Sequence, residues 1–484
     1  MNKFALAALA VASFLVITPV HAASRTLVSG MSGSDVVTLQ NQLIAKGYLA
    51  AGNNTGMFGP LTLAAVKKFQ CASGVVCSGS SVGVVGPATQ AALYGAAVST
   101  SLTPSYTGGL EFGGWLPYWS EDKSVADVQP HLSQMKTVSP FTYTMHSDGT
   151  INDAADMNQE PWVSFMAAAK AKGVRVVPTI MWGDGDTEHA ILSNATKRVA
   201  LEDAIAKLVM DNGYDGIDID FEAKKAETKD YFSTFLKGLY QRMGQKWVYC
   251  SIEARMPITE RYGYNTTPPA DATEYANDYV AINKYCDRVQ IMTYDQGYID
   301  ALLNAARAQP YVPVADPAWV ENVINLAAQT IDKKKIIIGV PTYGYEYQVT
   351  SSGSGYKYQR LWAFNQGYGI QLATLLGVTP SRNSAGELSF IYKVTPQTQA
   401  FSDQASTPGA VTGGSTTNTN TQPADVFSQT ALATSVQPPF NIVWWSDSQA
   451  IADKVALAKK LGIRGVSVFK LDGGEDQNIW NVLK

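Results

Sequence analysis

The chain has 484 residues, 46% apolar and only 16% charged, so it can bury a large core and wholesale disorder is excluded. Its 37 basic and 41 acidic side chains give a formal net charge of −4, without the basic excess of a nucleic-acid binder. Four histidines with no HExxH pair and four cysteines with no CxxC leave no zinc-hydrolase motif.

The first element in chain order is a delivery signal over residues 1–22. Lys3 supplies the positive start, residues 4–20 form an apolar run, and Val20-His21-Ala22 offers small residues at −3 and −1 of a cleavage site. The rival reading, a membrane anchor, would need a spanning helix of about 20 residues, and the run is short for that. The mature chain is expected to begin near Ala23, in an oxidising compartment where cysteines pair.

Residues 24–97 form the next unit. Gly56-Met57-Phe58-Gly59-Pro60, followed by Thr62, Ala64, Ala65 and Val66, is echoed 27 residues later by Gly83-Val84-Val85-Gly86-Pro87, Thr89, Ala91, Ala92 and Leu93. Each copy reads as a glycine-bounded turn, then proline at the first position of a helix. Val36, Val37, Leu39, Leu43 and Ile44 predict an earlier amphipathic helix stopped by Gly47. Three short helices make a marginal core, which a Cys71–Cys77 bridge between the copies would help to hold. The pattern Leu27, Gly33, Asp35-Val36, Leu39-Gln40, Leu43, Gly47-Tyr48, Gly56, Phe58-Gly59, Thr62, Ala65-Val66, Phe69-Gln70 resembles the small peptidoglycan-binding domain of cell-wall hydrolases. A three-helix module with some other ligand is the alternative, since such modules keep their shape while ligands drift.

Residues 98–109 read as a flexible linker. From 110 onward, apolar strands at 112–118, 137–144, 174–182, 214–222, 246–254, 287–295, 335–343 and 464–471 alternate with helical stretches. That alternation predicts a parallel (β/α)₈ TIM barrel of the α/β class. The clearest outer helix is 448–460, ended by Gly462. The excess over a plain barrel of about 250 residues requires insertions. The main one, at about 344–440, is expected to form a small α+β subdomain with strands at 356–361, 388–394 and 441–445 and a helix near 366–376. Within it, 396–438 is rich in Thr, Ser, Gln, Asn and Pro and reads as a long loop without regular structure.

The chemical centre is Asp215-Gly216-Ile217-Asp218-Ile219-Asp220-Phe221-Glu222. Strand alternation sets Asp218, Asp220 and Glu222 on one side and Ile217, Ile219 and Phe221 on the other. If the apolar side faces the outer helices, three carboxylates point into the barrel, which is costly without a chemical reason. Glycosidic acid–base chemistry, a divalent cation site and a solvated surface strand all remain open on these residues alone, although the flanking Ile and Phe disfavour the last.

The same octet resembles the fourth-strand signature of glycoside hydrolase family 18, the chitinase family. Met292-Thr293-Tyr294-Asp295, Gly339-Val340-Pro341-Thr342-Tyr343-Gly344, and Val443-Trp444-Trp445-Ser446-Asp447 through Gly465-Val466-Ser467-Val468-Phe469 resemble its sixth, seventh and final segments. Two positions depart from that pattern. Thr179-Ile180-Met181-Trp182 stands where the third strand usually carries Ser-x-Gly-Gly, and Phe469 stands where a Trp usually underlies the reacting sugar.

The resemblance implies substrate-assisted retention, in which the sugar's own 2-acetamido oxygen is the nucleophile. It assigns Glu222 as acid then base, Asp220 as orienter of the acetamido N–H, Asp218 as proton-sharing partner, and Tyr294 as hydrogen-bond donor to the acetamido oxygen. Trp115, Tyr118, Trp182, Met292, Asp295, Tyr298, Tyr343, Trp445 and Phe469 are expected to line the sugar site. Crowding by Trp182, Tyr294 and Tyr343 would leave little room for the lactyl branch of N-acetylmuramic acid. The expected protein is a monomeric, exported hydrolase of the cell wall or periplasm, acting on peptidoglycan after N-acetylglucosamine. No cofactor, metal, nucleic acid or membrane span after signal cleavage is expected. A chitinase, and a non-catalytic lectin on the same barrel, are the rival readings. Glu222 disfavours the lectin, because inactive members typically lose the acid there. Cys250 in the fifth strand and Cys286 just before the neighbouring sixth form a second candidate bridge beside Cys71–Cys77.

Overall fold

Eight parallel strands close on themselves between residues 111 and 469 in the computed structural model, which describes residues 26–77, 82–94, 108–264, 266–352, 355–405 and 438–484. The expected signal, most of the linker and most of the 396–438 loop lie outside the described residues.

The strands are β1 (Glu111–Pro117), β2 (Thr137–Met145), β3 (Ile151–Asp153), β4 (Arg175–Val176), β5 (Thr179–Trp182), β6 (Gly216–Phe221), β7 (Trp247–Glu253), β8 (Arg288–Met292), β9 (Ile336–Pro341), β10 (Tyr343–Ser352), β11 (Gly355–Asn365), β12 (Ser381–Arg382), β13 (Leu388–Tyr392), β14 (Phe440–Trp445) and β15 (Gly465–Phe469). The barrel order is β1-β2-β5-β6-β7-β8-β9-β15, closed by pairing of β15 with β1. All eight contacts are parallel, the predicted TIM-barrel arrangement. The third strand is interrupted: β4 and β5 flank Pro178 and both pair with β2. β3 is an antiparallel addition to β2.

Period-two alternation fixes which residues face inward. On β6, Ile217, Ile219 and Phe221 are fully buried, and Phe221 stacks on Phe235, 5.4 Å away, in helix Lys229–Met243. That helix buries Phe232, Phe235, Leu236, Leu239 and Met243, the stripe expected of an amphipathic outer helix. Gly216 must lack a side chain, because a Cβ there would lie 2.3 Å from the Trp247 carbonyl oxygen. Helix Ser448–Leu461 starts on the Asp447 cap and ends at left-handed Gly462. A disulfide joins Cys250 of β7 to Cys286, two residues before β8, with Cα atoms 6.0 Å apart.

Between β9 and β15 the chain builds a five-stranded antiparallel sheet, ordered β11-β10-β14-β13-β12, carrying helix Gln366–Leu376. One expectation here is corrected. Residues 396–405, read as part of a structureless loop, form helix Pro396–Ala405. Pro396 suits a first helical position, Thr395 accepts the Thr398 N–H at 3.2 Å, and Phe401 stacks on Tyr368 with centroids 5.4 Å apart.

The N-terminal unit has its own core of Leu27, Val36, Leu39, Leu43, Phe58, Val66, Phe69, Val85 and Leu93 beneath helices Ser34–Ala45, Pro60–Ala72 and Pro87–Tyr94. A buried glutamine organises each copy of its repeat. Gln40 takes the Gly56 N–H and donates to Met57 O and Thr62 Oγ1, while Gln70 takes the Gly83 N–H and donates to Val84 O and Thr89 Oγ1. Cys71 and Cys77 are bridged.

Candidate active site

The carboxylates of β6 form a graded series toward the mouth of the barrel. Asp218 is fully buried and accepts from Trp115 Nε1 at 3.0 Å, Thr179 Oγ1 at 2.9 Å and Ser251 Oγ at 2.9 Å. Gln290 backs Ser251 from β8 at 3.4 Å. Burial raises the proton affinity of Asp218, and these donors oppose that rise.

Asp220, one step higher, is 4% exposed and its Oδ1 has no hydrogen-bond partner. Burial first, then the charges of Glu222 and Asp218, push its affinity well above the carboxylate range. Glu222 follows at the strand's end, partly exposed. Burial, with Glu253 and Asp295 nearby, lifts it to about 7, against the opposing pull of Lys224. A carboxyl group in that range can hold a proton near neutrality and give it up, as acid–base chemistry requires.

Aromatic rings enclose the carboxylates. Tyr294 stacks on Phe469, with centroids 5.2 Å apart and planes 15° apart, and meets Tyr343 edge-on at 6.3 Å. Gly339 makes space for the Tyr294 ring, since a Cβ there would approach Cε1 to 2.7 Å. Burial and the surrounding carboxylates hold the Tyr294 hydroxyl far above its usual range, so it stays protonated as a donor. Asp295, exposed and left-handed at φ 58°, accepts from Tyr343 at 2.5 Å and Tyr345 at 2.6 Å. Met292 continues the inward face of β8 two residues after Gln290.

Three expected sugar contacts are corrected. Trp182 is 2% exposed and faces outward: its ring packs edge-on against Phe221 at 5.3 Å, and Nε1 donates to Thr187. Thr179 points inward to Asp218, so alternation turns Met181 inward, in register with Asp220, and Trp182 out. Trp445 is fully buried in the insertion's own core, between Phe364 and Phe390. Trp115 is 2% exposed and donates to Asp218, the deepest of the β6 carboxylates, instead of offering an open ring face.

Tyr118 packs on Trp119, and Trp119 rather than Tyr118 continues through Phe141 to Phe469. Tyr298 stacks on Tyr358 of the insertion sheet at 6.0 Å. The sequence reading missed Met181, Trp119, Phe141, Ser251, Gln290, Lys224 and Glu253. Inward parity on β5, β7 and β8 would have found Met181, Ser251, Gln290 and Glu253.

Residues 115–474 match the family model described as Glycosyl hydrolases family 18. The chain belongs to that family. Residues 32–93 match a peptidoglycan binding domain model, so this family 18 glycosidase carries an N-terminal domain of that kind. It is similar to the glycosylase YvbX of Bacillus subtilis, 23% identical over 394 residues, covering 81% of this chain and 92% of that protein. The cortical fragment-lytic enzyme of Bacillus subtilis is 24% identical over 323 residues, 63% of this chain and 59% of that protein. The solved chitinase from Chromobacterium violaceum superposes with a TM-score of 0.55 at 18% identity, over 78% of this chain and 98% of that one. Among the described residues no helix of this glycosidase is long and apolar enough to cross a membrane.

Proposed function

We propose that the protein is an exported hydrolase that cleaves β-1,4 bonds after N-acetylglucosamine in peptidoglycan, by substrate-assisted retention. The observation that carries this reading is the graded series on β6. Asp218 is held by three donors, Asp220 keeps one oxygen without a partner, and Glu222 lies at the mouth with its affinity raised to about 7. Glu222 protonates the glycosidic oxygen as the acetamido carbonyl oxygen attacks C1. The open oxygen of Asp220 takes the acetamido N–H and offsets the positive charge of the cyclic ion. Tyr294 donates to the acetamido oxygen, and Glu222 then accepts a proton from the incoming water.

Tyr294, Phe469 and Tyr343 are in mutual ring contact, and in this reading they enclose the side that receives the acetamido group. That crowding, now without Trp182, favours N-acetylglucosamine over the C3-branched muramic acid as the reacting sugar. The N-terminal domain supports wall as the polymer. The chitinase-like fold keeps chitin as the second reading.

Digestion of purified wall, borohydride reduction of the new ends and mass spectrometry test both. Reduced glucosamine is expected, and Glu222→Gln should abolish its release while oligosaccharide binding persists. Reduced muramic acid would make the enzyme a muramidase. Release from chitin alone would move the assignment to chitinase.

A further inference from the structure

Two residues beyond Glu222, Lys224 is buried against the flank of the site. Its side chain is 1% exposed, its Nζ makes no hydrogen bond, and it lies 4.9 Å from the centroid of the Phe232 ring. Lysine is almost never fully buried unless paired. Its ion-pair partner is Glu253, at the end of β7, with Nζ 3.7 Å from Oε2.

Glu253 is itself fixed on two other sides. Asn277 Nδ2 donates to it at 2.6 Å, and the Ala223 N–H donates at 3.2 Å. Ala223 directly follows the acid and is left-handed at φ 57°, a conformation few residues other than glycine adopt. The Lys224–Glu253 pair therefore closes over the turn that aims Glu222. A well-packed apolar side chain would cost less to bury at position 224, so the cation needs a reason beyond stability.

Among the described residues, several other titratable groups surround the pair. Glu188, from helix Gly185–Leu192, is fully buried with neither oxygen hydrogen-bonded, and burial lifts it to about 9, so it is neutral near pH 7. Asp184 faces Glu188 from the same segment, and Asp186 is engaged by Lys225 at the surface. Asp218 and Asp220 approach from β6, Tyr294 and Asp295 from the end of β8. Beyond Glu253, Arg255 donates to the Asn277 carbonyl and lies over the Tyr279 ring. Within that group, the Lys224 cation and the Glu253 carboxylate flank Glu222 with opposite effects.

We propose that Lys224 is a positioning residue for the acid: paired with Glu253, it holds the turn at Ala223 and sets the pH at which Glu222 gives up its proton. The proposal rests on the reading of Glu222 as the general acid. Glu222 must be protonated to act, so activity is lost as pH rises through its proton affinity. Removing the cation leaves Glu253 unbalanced and raises that affinity, whereas removing the carboxylate lowers it.

The test is the pH profile of kcat/KM for the full chain on a soluble N-acetylglucosamine tetramer. In Lys224→Met the alkaline limb should move up by about one pH unit, the scale on which a nearby charge shifts a carboxyl group. In Glu253→Gln it should move down, in the double variant it should return near the parent, and Lys224→Arg should restore it. A lysine with a merely structural role would lower kcat without moving the limb. Unmoved limbs in folded Lys224→Met and Glu253→Gln would overturn the proposal. If Lys224→Met does not fold, Glu253→Gln alone decides, since that side chain is 41% exposed and tolerates exchange. Full turnover by Glu222→Gln, measured beside these, would instead overturn the reading of the acid itself.

Discussion

Met181 and Trp182 differ by one position and face opposite ways. Met181 pairs in register with Asp220 on the inner wall, whereas Trp182 is buried against Phe221 and bonded to Thr187 at 3.1 Å. Trp182→Phe should therefore lower stability by about 1–3 kcal/mol through lost packing and one lost hydrogen bond, and leave KM unchanged. Met181→Trp should do the reverse, filling the space beside Asp220 and raising KM with little change in melting temperature. Thermal unfolding and steady-state kinetics on a soluble oligomer separate the two; a raised KM in Trp182→Phe would return Trp182 to the sugar site. Residue orientation was in fact legible, because an inward Thr179 dictates an outward Trp182. What hid it was size, since a large aromatic at a strand end resembles a sugar platform as much as a core residue. Lys224 and Glu253 were less legible. Glu253 shares the inward parity of β7, but Lys224 belongs to no spaced motif, and only the meeting of the β6 and β7 ends brings the two together.

At the scale of elements, apolar alternation carried the barrel, while polar groups that organise structure from inside went unseen. The repeated Gly-Pro turns of the N-terminal unit were readable, but Gln40 and Gln70 entered only as members of a resemblance pattern, and their role in holding those turns was not readable. In sequence Gln40 and Gln70 look like surface positions, yet both are fully buried, each satisfying a glycine N–H, a backbone carbonyl and a threonine hydroxyl. Helix Pro396–Ala405 was hidden in a similar way, because its Thr, Ser and Gln content outweighed Pro396 and a single anchor, Phe401. The glutamine networks make a quantitative prediction. Gln40→Ala and Gln70→Ala should each cost about 1–3 kcal/mol, because each strands a buried donor and acceptor. That is a large share of the stability of so small a domain. Urea unfolding of the 24–97 fragment measures it, and two nearly equal losses are expected from two nearly equal networks. A loss below experimental error in both would show that water replaces the glutamine.

For the whole molecule, the decisive point is where the site residues lie in the chain. The carboxylates of β6, the donors to Asp218 and the rings around Tyr294 all come from residues 115–469, inside the barrel unit and its insertion. The chain separates into compact units Met1–Ser101 and Leu102–Lys484, and the N-terminal one has its own core and its own disulfide. Chemistry and wall attachment can then be divided. A tether that holds an enzyme near an insoluble polymer raises its effective concentration there without adding a contact to the site. Residues 110–484 alone should hydrolyse a soluble N-acetylglucosamine tetramer at the full-chain rate. Residues 24–97 alone should sediment with purified sacculi. On sacculi at low enzyme concentration, the full chain should outpace the isolated barrel by about tenfold or more, and the gap should close as enzyme is raised, because mass action then replaces the tether. If the isolated barrel were slow on the soluble tetramer as well, the N-terminal unit would belong to the catalytic site and the division would fail.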